Sequence, residues 1–486
     1  MTGEGQRLQV TLDPALIGQR FSTLLGTMEQ AIIHGRIHDH TGRIARISGP
    51  LIRASLPDAR IGELCALRSG PDDTDPVMAE IIGIDGPHAL LSAIGDVDGL
   101  STATEVARRA GGIPVPVGER VIGRVLDALG RPVDGRPLEP GESAPLRHAA
   151  PDLMSRRMID QPLAIGLHAI DAFLTCGEGQ RVGIFGSAGT GKSSLLAAIV
   201  KQSEADVVVV ALIGERGREV REFVELQLGA AGIERSVLVC ATSERSPLER
   251  VKAGHTATTI AEHFRDRGQK VLLLFDSVTR YARALREIGL ARGEPPARQG
   301  YPPSVFASLP ALFERAGCSE RGSITAFYTV LVEDDETADP IAEEVRSLLD
   351  GHLILSRKLA SQGQYPAIDV LQSTSRVMRR IVSEDHDGAA RFIRQLLSAY
   401  NDNEILIRLG EYQPGADALL DEAVDKFDDI QAFLRDSGDF GTMLDRLFAL
   451  AAPSVGDVRP DDPGDDDPGD EDAGDGENHS RQEMEA

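Results

Sequence analysis

Apolar runs alternate with amphipathic segments through the middle of this 486-residue chain. Each run has a length that suits a buried strand, and each is followed by apolar residues at the spacing of an α-helix. The runs are residues 207–213, 237–242, 271–276, 323–332 and 352–356. This alternation predicts an α/β domain whose mostly parallel sheet is covered by helices. Ligands of such sheets bind at the carboxyl ends of the strands.

Different patterns flank this region. Short β-rich runs such as GRIARISG, LIRASL and AEIIGI, separated by Gly, Pro and Asp turns, predict a small β-barrel over residues 31–99. Helical periodicity over residues 386–458 predicts a helical C-terminal domain. The α/β domain is therefore assigned to residues 100–385. Within it, residues 285–304 hold too many Gly and Pro residues for regular structure, so we expect a long functional loop there.

The two ends of the chain have patterns of their own. Residues 1–30 form an amphipathic N-terminal segment, since apolar residues from Leu16 to Ile32 recur at helical spacing. Its apolar stripe could pack on its own domain or bind a partner, and both interpretations stay open. Residues 459–486 lack apolar periodicity and are strongly acidic, which predicts a disordered tail with solubilisation as its simplest role.

Charge and cysteine content exclude several classes of protein. The net charge is −25, and residues 457–486 contribute −11 of it, from thirteen acids and two arginines. The remaining −14 argues against general nucleic-acid binding, which needs a basic surface. The four scattered cysteines indicate buried thiols in a reducing compartment, not a metal site. The N-terminus lacks a secretory signal pattern and no apolar run is long enough for a membrane span, so we expect a cytoplasmic protein.

The most specific motif is RVGIFGSAGTGKSSLLAAIVKQ, residues 181–202, which reads as a strand, a glycine-rich loop and a helix. It fits G-x-x-x-x-G-K-[ST], the phosphate-binding loop (P loop). Its backbone N–H groups and the helix N-terminus bind phosphate oxygens, and Lys192 can reach the β- and γ-phosphates. The residues assigned to nucleotide binding are Gly186, Ser187, Ala188, Gly189, Thr190, Gly191, Lys192, Ser193 and Ser194. The chain is predicted to bind a nucleoside triphosphate.

Two acidic residues follow apolar strands and suit the chemistry of a triphosphate. Asp276 ends the run VLLLFD and, with the Ser193 hydroxyl, is predicted to hold Mg²⁺. Glu215 follows another strand and could orient the water that attacks ATP. Arg216 and Arg218 beside it could offset charge on the phosphoryl oxygens. From spacing alone, Glu215 could equally be a surface salt-bridge partner.

A longer series of motifs resembles the hexameric ATPase family shared by the rotary ATP synthase β subunit and the type III secretion ATPases. The matching stretches are residues 186–194, 213–223, 272–306, 322–359 and 365–378, and the similarity covers about Arg36 to Leu450. The resemblance implies a RecA-like P-loop core with a parallel sheet, preceded by a β-barrel and followed by a helical domain. Residues 174–185, LTCGEGQRVGIF, and 60–68, RIGELCALR, look more like the injectisome-type ATPase than the flagellar export ATPase.

The resemblance also implies a role for individual residues. Glu215 matches the family's catalytic carboxylate, and Arg216 matches an arginine that contacts phosphate. Arg280, in DSVTR, matches a second arginine near the γ-phosphate. Tyr365, in YPAID, matches the aromatic residue that stacks on adenine. Arg376, in STSRVM, matches the arginine finger that a neighbouring subunit inserts. The implied substrate is ATP, with Mg²⁺ as the cofactor.

A family member of this kind would form a homo-hexameric ring that energises protein export, by substrate unfolding and chaperone release. The resemblance implies several partners: a stator-like coiled-coil regulator at the N-terminal segment, a central stalk protein, chaperone–substrate complexes at the C-terminal domain, and the export gate at the inner membrane. The implied location is cytoplasmic and peripheral at the inner membrane. The acidic tail is not part of the family pattern.

Three other interpretations stay open at this point. The flagellar export ATPase is the nearest alternative. A nucleic-acid translocase resembling the transcription terminator Rho shares the core and an N-terminal barrel. However, residues 31–100 hold ten acids, six arginines and no Phe, Tyr or Trp, whereas single-strand binding needs a basic groove with aromatic platforms. A rotary ATP synthase β subunit is disfavoured because the N-terminal segment and GERGREVREF match export ATPases better.

Overall fold

The computed structural model of the chain describes residues 41–49, 51–70, 73, 75–109, 112–146, 150–332 and 339–452. The amphipathic segment predicted for residues 1–30 and the acidic tail predicted for residues 459–486 lie outside the described residues.

Six antiparallel strands close into a barrel at the start of the described chain. They are β1 (Thr41–Ser48), β2 (Leu51–Ser55), β3 (Leu64–Arg68), β4 (Val77–Asp85), β5 (His88–Ile94) and β6 (Glu105–Arg109), and they pair in the order β1-β2-β5-β4-β3-β6. Ile44, Ile52 and Leu91 fill the barrel interior. The predicted barrel is confirmed, but β6 lies beyond the predicted boundary at residue 99. Its sequence EVARR has one large apolar residue, Val106, so its strand pattern is weak.

The central sheet carries the predicted strands and runs in the order β17-β16-β10-β15-β13-β11-β12-β8. The pairs along this order are parallel except β16 with β17. Its strands are β8 (Arg124–Leu126), β10 (Arg181–Gly186), β11 (Val207–Ile213), β12 (Ser236–Ala241), β13 (Lys270–Asp276), β15 (Ser323–Leu331), β16 (Gly351–Leu355) and β17 (Ile368–Ser375). β14 (Gly317–Cys318) pairs with β15, while β7 (Pro114–Pro116) pairs with β9 (Ser143–Pro145). The predicted mostly parallel α/β sheet is confirmed.

Helices cover both faces of this sheet and form the C-terminal domain. They are α1 (His168–Asp171), α2 (Lys192–Gln202), α3 (Gly217–Glu222), α4 (Gly229–Glu234), α5 (Pro247–Asp266), α6 (Val278–Ala291), α7 (Pro303–Phe313), α8 (Pro340–Leu348), α9 (Arg357–Ser361), α10 (Met378–Ile381), α11 (Glu384–Leu409), α12 (Ala418–Arg435) and α13 (Phe440–Ala451). Short 3₁₀ turns occur at Glu119–Val121, Leu153–Ser155 and Arg298–Gly300, and a π-helical turn, Phe223–Leu228, follows α3.

The prediction of a loop over residues 285–304 is wrong for the first third of that range, because α6 continues to Ala291. Gly289 is accommodated in this helix by close packing, since a Cβ there would lie 3.0 Å from Cγ of Pro302. After Ala291 the chain is irregular, apart from one 3₁₀ turn, until α7 begins at Pro303. The density of Gly and Pro residues therefore hid a helical pattern that runs seven residues further.

The three C-terminal helices α11, α12 and α13 pack on one another and on the central domain. Ile393, Phe433 and Leu447 are buried in the same apolar core as one face of the sheet. Ser383 caps α11 by accepting a hydrogen bond from the His386 N–H at 3.2 Å. The predicted helical domain is confirmed. Across the described part of the chain, we find no helix of sufficient length and apolarity to span a membrane.

The barrel is joined to the central domain through α5. Lys252 of α5 forms an ion pair with Glu80 of β4, and both side chains are buried. The Ser246 hydroxyl, at the start of the same helix, donates a hydrogen bond to the Ala93 carbonyl of β5 at 3.2 Å. Loss of either partner would leave a buried charge unpaired, so substitution of Lys252 or Glu80 should destabilise the contact between the barrel and the central domain.

Candidate active site

The P loop connects β10 to α2 at the carboxyl edge of the sheet. β10 is apolar and buried as far as Gly186, and α2 begins at Lys192. Gly189 and Gly191 have φ angles of +84° and +80°, which favour glycine. Gly191 is also in close contact with Tyr365, because a Cβ on it would lie 2.7 Å from Cε1 of the Tyr365 ring. The loop therefore depends on glycine both for its backbone angle and for space.

A cavity of about 590 Å³ opens beside this loop. Its lining includes twelve of the residues predicted for the site, which are Ser187, Ala188, Gly189, Gly191, Lys192, Ser193, Ser194, Glu215, Arg216, Asp276, Arg280 and Tyr365. Thr190 belongs to the same loop, where its hydroxyl donates to the Ser187 carbonyl at 2.8 Å. Most of the predicted site is thus gathered around one cavity at the end of the sheet where ligands of α/β proteins bind.

Lys192 lies between two carboxylates at the centre of the cavity. Its Nζ donates to Oδ1 of Asp276 at 2.6 Å and lies 3.8 Å from Oε1 of Glu215. Asp276 ends β13 and Glu215 follows β11, which are neighbouring parallel strands, so both carboxylates leave the same edge of the sheet. A triphosphate bound to the P loop would meet the ammonium group and both acids together.

Glu215 is buried and held in place by Arg280. The guanidinium of Arg280 donates from Nε to Oε1 at 3.1 Å and from Nη2 to Oε2 at 3.2 Å. Burial raises the pKa of the Glu215 carboxyl, the charge of Asp276 raises it further, and Lys192 and Arg280 oppose this rise. Because only 11% of the side chain is exposed, Glu215 is not a surface salt-bridge partner. A carboxylate with a raised pKa beside a phosphate site is suited to accept a proton from water.

The neighbouring arginines face solvent. The side chain of Arg216 is 77% exposed, and its Nη1 lies 3.6 Å from Oε1 of Glu219 in α3, the helix that follows it. Arg218 forms an ion pair with Glu222 of its own helix, with Nε 2.8 Å from Oε1. Arg216 borders the cavity, but the structure shows no contact between its guanidinium and Lys192, Glu215 or Asp276 among the described residues. Its role toward phosphate stays a prediction.

Arg376 lies away from the cavity, at the end of the sheet where the parallel strands begin. It follows Ser375, which pairs with Gly351 at the start of β16. Its backbone N–H donates to the Asp350 carbonyl at 2.9 Å and its Nη2 to the Arg346 carbonyl at 3.4 Å. The P loop begins at the carboxyl end of the neighbouring strand β10. Four residues of extended chain, roughly 13 Å, separate that end from the level of Gly351. The structure therefore does not bring Arg376 to the nucleotide site of its own chain.

The oxygen atoms near the P loop fit Mg²⁺. The Ser193 hydroxyl and the Asp276 carboxylate both border the cavity, and oxygen is the ligand atom that Mg²⁺ prefers. In the described residues there is no cluster of three or more His, Cys, Asp or Glu side chains arranged to hold a metal. In the usual Mg²⁺ site of nucleotide enzymes, one or two protein groups act together with the substrate's phosphates.

Models of three protein-domain families match successive parts of the chain. The β-barrel domain of the ATP synthase alpha/beta family matches residues 44–109, and the nucleotide-binding domain of that family matches residues 166–375. The T3SS EscN ATPase C-terminal domain matches residues 382–448. The type 3 secretion system ATPase of Sinorhizobium fredii is 55% identical over 399 residues, which are 82% of this chain and 88% of that protein. The chain belongs to the type 3 secretion system ATPase family.

Solved structures agree with this membership. The assembled ATPase EscN of the enteropathogenic E. coli type III secretion system is 46% identical and superimposes with a TM-score of 0.79, over 85% of this chain and all of that chain. EscN in complex with its central stalk EscO gives a TM-score of 0.78 at 45% identity, over the same shares. The flagellum-specific ATP synthase of Bacillus subtilis is 45% identical over 416 residues, 85% of this chain and 95% of that protein. The secretion-type resemblance is thus confirmed, and the flagellar alternative is the more distant one.

Several residues at the site of this type 3 secretion system ATPase family member were not predicted, and Thr329 and Gln227 are two of them. The Thr329 hydroxyl donates to Oδ1 of Asp276 at 2.6 Å from the adjacent strand β15. Gln227, in the π-helical turn after α3, borders the cavity. The only signal for Thr329 is a polar residue near the end of the apolar run SITAFYTVLV, and its meaning depends on which strand lies beside β13. A π-helical turn leaves no clear sequence signal, so Gln227 could not be found.

Proposed function

We propose that this protein hydrolyses ATP in a Mg²⁺-dependent reaction, and that hydrolysis energises protein export by a type III secretion system. The observation that carries the proposal is the position of Glu215, buried beside the P loop with Arg280 bound to both of its oxygens and Lys192 close by. Substrate unfolding and chaperone release would be the work that hydrolysis supports.

In this proposal the residues of the cavity divide the work. Lys192 leaves the Asp276 carboxylate and binds phosphate oxygens, as the P-loop lysine does in nucleotide enzymes. Glu215 orients the attacking water and accepts its proton. Arg280 holds Glu215 in position and adds positive charge beside the γ-phosphate. Ser193 and Asp276 would hold Mg²⁺, which neutralises charge on the β- and γ-phosphates. The Tyr365 ring, half exposed above Gly191, is available to stack on adenine.

The working unit in this proposal is a homo-hexameric ring. Arg376 lies at the opposite end of the parallel strands from the P loop of its own chain, so a role at the γ-phosphate requires a neighbouring subunit. The assembled state of the relative EscN supports such a ring. Each site would then be completed by Arg376 of the adjacent copy, which makes hydrolysis dependent on assembly.

We propose that the ring also binds several partners. The relative EscN binds the central stalk EscO. In the present chain, Ile405, Leu409 and Leu419 are exposed where α11 ends and α12 begins, and this apolar tip of the helical domain suits a stalk helix. Chaperone–substrate complexes at the helical domain, the export gate at the inner membrane and a stator-like regulator at residues 1–33 complete the proposed assembly. Residues 1–33 lie outside the described residues.

Phosphate release from the purified full chain tests the enzymatic part. The wild type should release phosphate from ATP only with Mg²⁺, and Lys192→Ala should lose nucleotide binding and turnover together. Wild-type turnover that persists in EDTA, or in Lys192→Ala protein, would contradict the proposal.

Export in cells tests the biological part. Replacement of the chromosomal copy by the Lys192→Ala variant should abolish secretion of type III substrates while leaving flagellar motility intact. The opposite result, loss of motility with normal secretion, would instead assign the chain to flagellar export.

A further inference from the structure

Oδ1 of Asp276 accepts two hydrogen bonds in this structure. One comes from Nζ of Lys192 and the other from the hydroxyl of Thr329, and both donor–acceptor distances are 2.6 Å. Thr329 and Asp276 are both buried. The Thr329 hydroxyl also lies 3.4 Å from the Phe275 carbonyl, but it has a single proton, and the short contact to the carboxylate is the better hydrogen bond.

The backbone fixes the position of Thr329. β15 pairs in parallel with β13 on one side and β10 on the other, with Tyr328 opposite Phe275 and Thr329 opposite Ile184. Just beyond Thr329, the backbone N–H of Leu331 donates to the Thr279 hydroxyl at 2.9 Å, which ties the end of β15 to the start of α6. A side chain on a central strand with both edges paired has little freedom, so the hydroxyl is a rigid support for the carboxylate.

We propose that Thr329 is a positioning residue for the metal: it holds the Asp276 carboxylate so that Oδ2 remains directed to Mg²⁺ or to water bound to it. The inference rests on the proposed Mg²⁺–ATP site. When nucleotide binds, Lys192 moves to the phosphates, and the Thr329 hydrogen bond is then the contact that keeps Oδ1 engaged. Groups that hydrogen-bond a metal-binding carboxylate fix its orientation and so contribute to metal affinity.

The expected effect follows from the loss of that hydrogen bond. Thr329→Val keeps the shape of the side chain and removes the hydroxyl, so the Asp276 carboxylate can rotate away from the metal. Loss of such an orienting partner weakens metal affinity by about 10- to 100-fold. Binding of nucleotide without metal should be unchanged, because the P loop and Lys192 are untouched.

The experiment measures the dissociation constant of a fluorescent ADP analogue for the full-length protein, once with Mg²⁺ and once with EDTA. The ratio of the two constants reports the metal alone and does not require turnover. The wild type, Thr329→Val and Thr329→Ser are compared, since serine retains the hydroxyl. The matched control is Thr325→Val, on the same face of the same strand. Thr325 is equally buried, but its hydroxyl accepts a hydrogen bond from the Gly179 N–H at 2.8 Å, away from the cavity.

Mg²⁺ should tighten nucleotide binding about tenfold less in Thr329→Val than in the wild type. Thr329→Ser should restore the Mg²⁺ effect, and Thr325→Val should keep it despite any loss of stability. An unchanged Mg²⁺ effect in Thr329→Val, or an equal loss in Thr325→Val, would overturn the inference. If Thr329→Val does not fold, the pair Thr329→Ala and Thr329→Ser makes the same comparison of hydroxyl with no hydroxyl. A wild type whose binding ignores Mg²⁺ would refute the proposed function itself, which separates the two failures.

Discussion

Arg280 and Glu215 are 65 residues apart in the chain, yet Arg280 binds both oxygens of the Glu215 carboxylate. Glu215 follows β11, and Arg280 lies in the first turn of α6 directly after β13, so parallel pairing of these strands brings the two residues together. Gly214 leaves room for the arginine, since a Cβ there would lie 2.9 Å from Cδ of Arg280. The orientation of the carboxylate is therefore set by Arg280.

Glu215→Gln should retain nucleotide binding and lose turnover. The glutamine has almost the same shape and its carbonyl oxygen can still accept a hydrogen bond from Arg280, but it cannot take a proton from water. General-base catalysis contributes typically 10²–10⁴-fold, so kcat should fall by about that factor with little change in nucleotide affinity. Phosphate release and fluorescent-nucleotide binding measure the two quantities. Turnover at the wild-type rate in the purified variant would remove Glu215 from the role of base.

The pH dependence of turnover should report the raised pKa of Glu215. Burial is the main cause of the rise and the charge of Asp276 the next, while the neighbouring Glu219 carboxyl also raises the pKa. The reaction needs the ionised carboxylate, so activity is present above this pKa and is lost as the pH falls through it. Glu219→Gln removes one raising contribution, and the acidic limb of its kcat/KM profile should therefore lie at lower pH than that of the wild type.

Comparison of the two profiles cancels the ionisation of ATP itself, which is the same for both proteins. Circular dichroism at each pH is the control, because acid unfolding would also reduce activity. An acidic limb that stays in place or moves to higher pH in folded Glu219→Gln protein would contradict the assignment.

Gly191→Ala should destabilise the P loop by more than its backbone angle explains. An alanine in the left-handed region costs about 1–2 kcal/mol, and at Gly191 the new methyl group also meets the Tyr365 ring. Gly189→Ala is the matched control, since Gly189 has a similar φ and no atom lies within 4 Å of its added Cβ. Thermal unfolding without nucleotide should rank wild type, Gly189→Ala and Gly191→Ala in order of falling stability. Tyr365→Ala in the Gly191→Ala background should recover the excess loss, and no recovery would exclude the ring contact as its cause.

The sequence predicted local features well because they depend on neighbouring residues. The strand at Val207–Ile213 and the P loop of residues 186–194 lie where the apolar pattern and the glycine spacing placed them. β6 was not predicted because a five-residue strand with one large apolar side chain has almost no periodicity. The C-terminal half of α6 was hidden by Gly289, whose lack of a side chain is needed for the contact with Pro302.

Relations across the sheet could not be predicted from the same pattern. Thr329 can support Asp276 only because β15 lies beside β13, although α6, α7 and β14 lie between these two strands in the chain. That Arg376 lies far from its own P loop depends on β17 running antiparallel to β16. Strand order and direction are properties of the whole fold, so a residue's distance from the site could be read only from the structure.

Turnover should depend on Arg376 and on assembly of the ring. Arg376 lies at the opposite end of the parallel strands from the P loop of its own chain, so it can complete a nucleotide site only in an adjacent copy. An arginine supplied in trans contributes about 10³–10⁵-fold in rate in GTPases, because it meets charge that develops in the transition state. Arg376→Ala should therefore abolish most turnover while leaving nucleotide binding to a monomer nearly unchanged. Wild-type activity should rise more than linearly with protein concentration as rings form.

Mixing of variants decides between action in trans and action in cis. Arg376→Ala and Glu215→Gln proteins should each be inactive alone. In mixed rings, some interfaces pair an intact Glu215 from one variant with an intact Arg376 from the other, so activity should return when the two are combined. Action in cis predicts no recovery, because every chain in the mixture lacks one of the two groups. Co-assembly is verified by cross-linking of differently tagged chains, and mixed rings without recovered activity would show that Arg376 does not complete its neighbour's site.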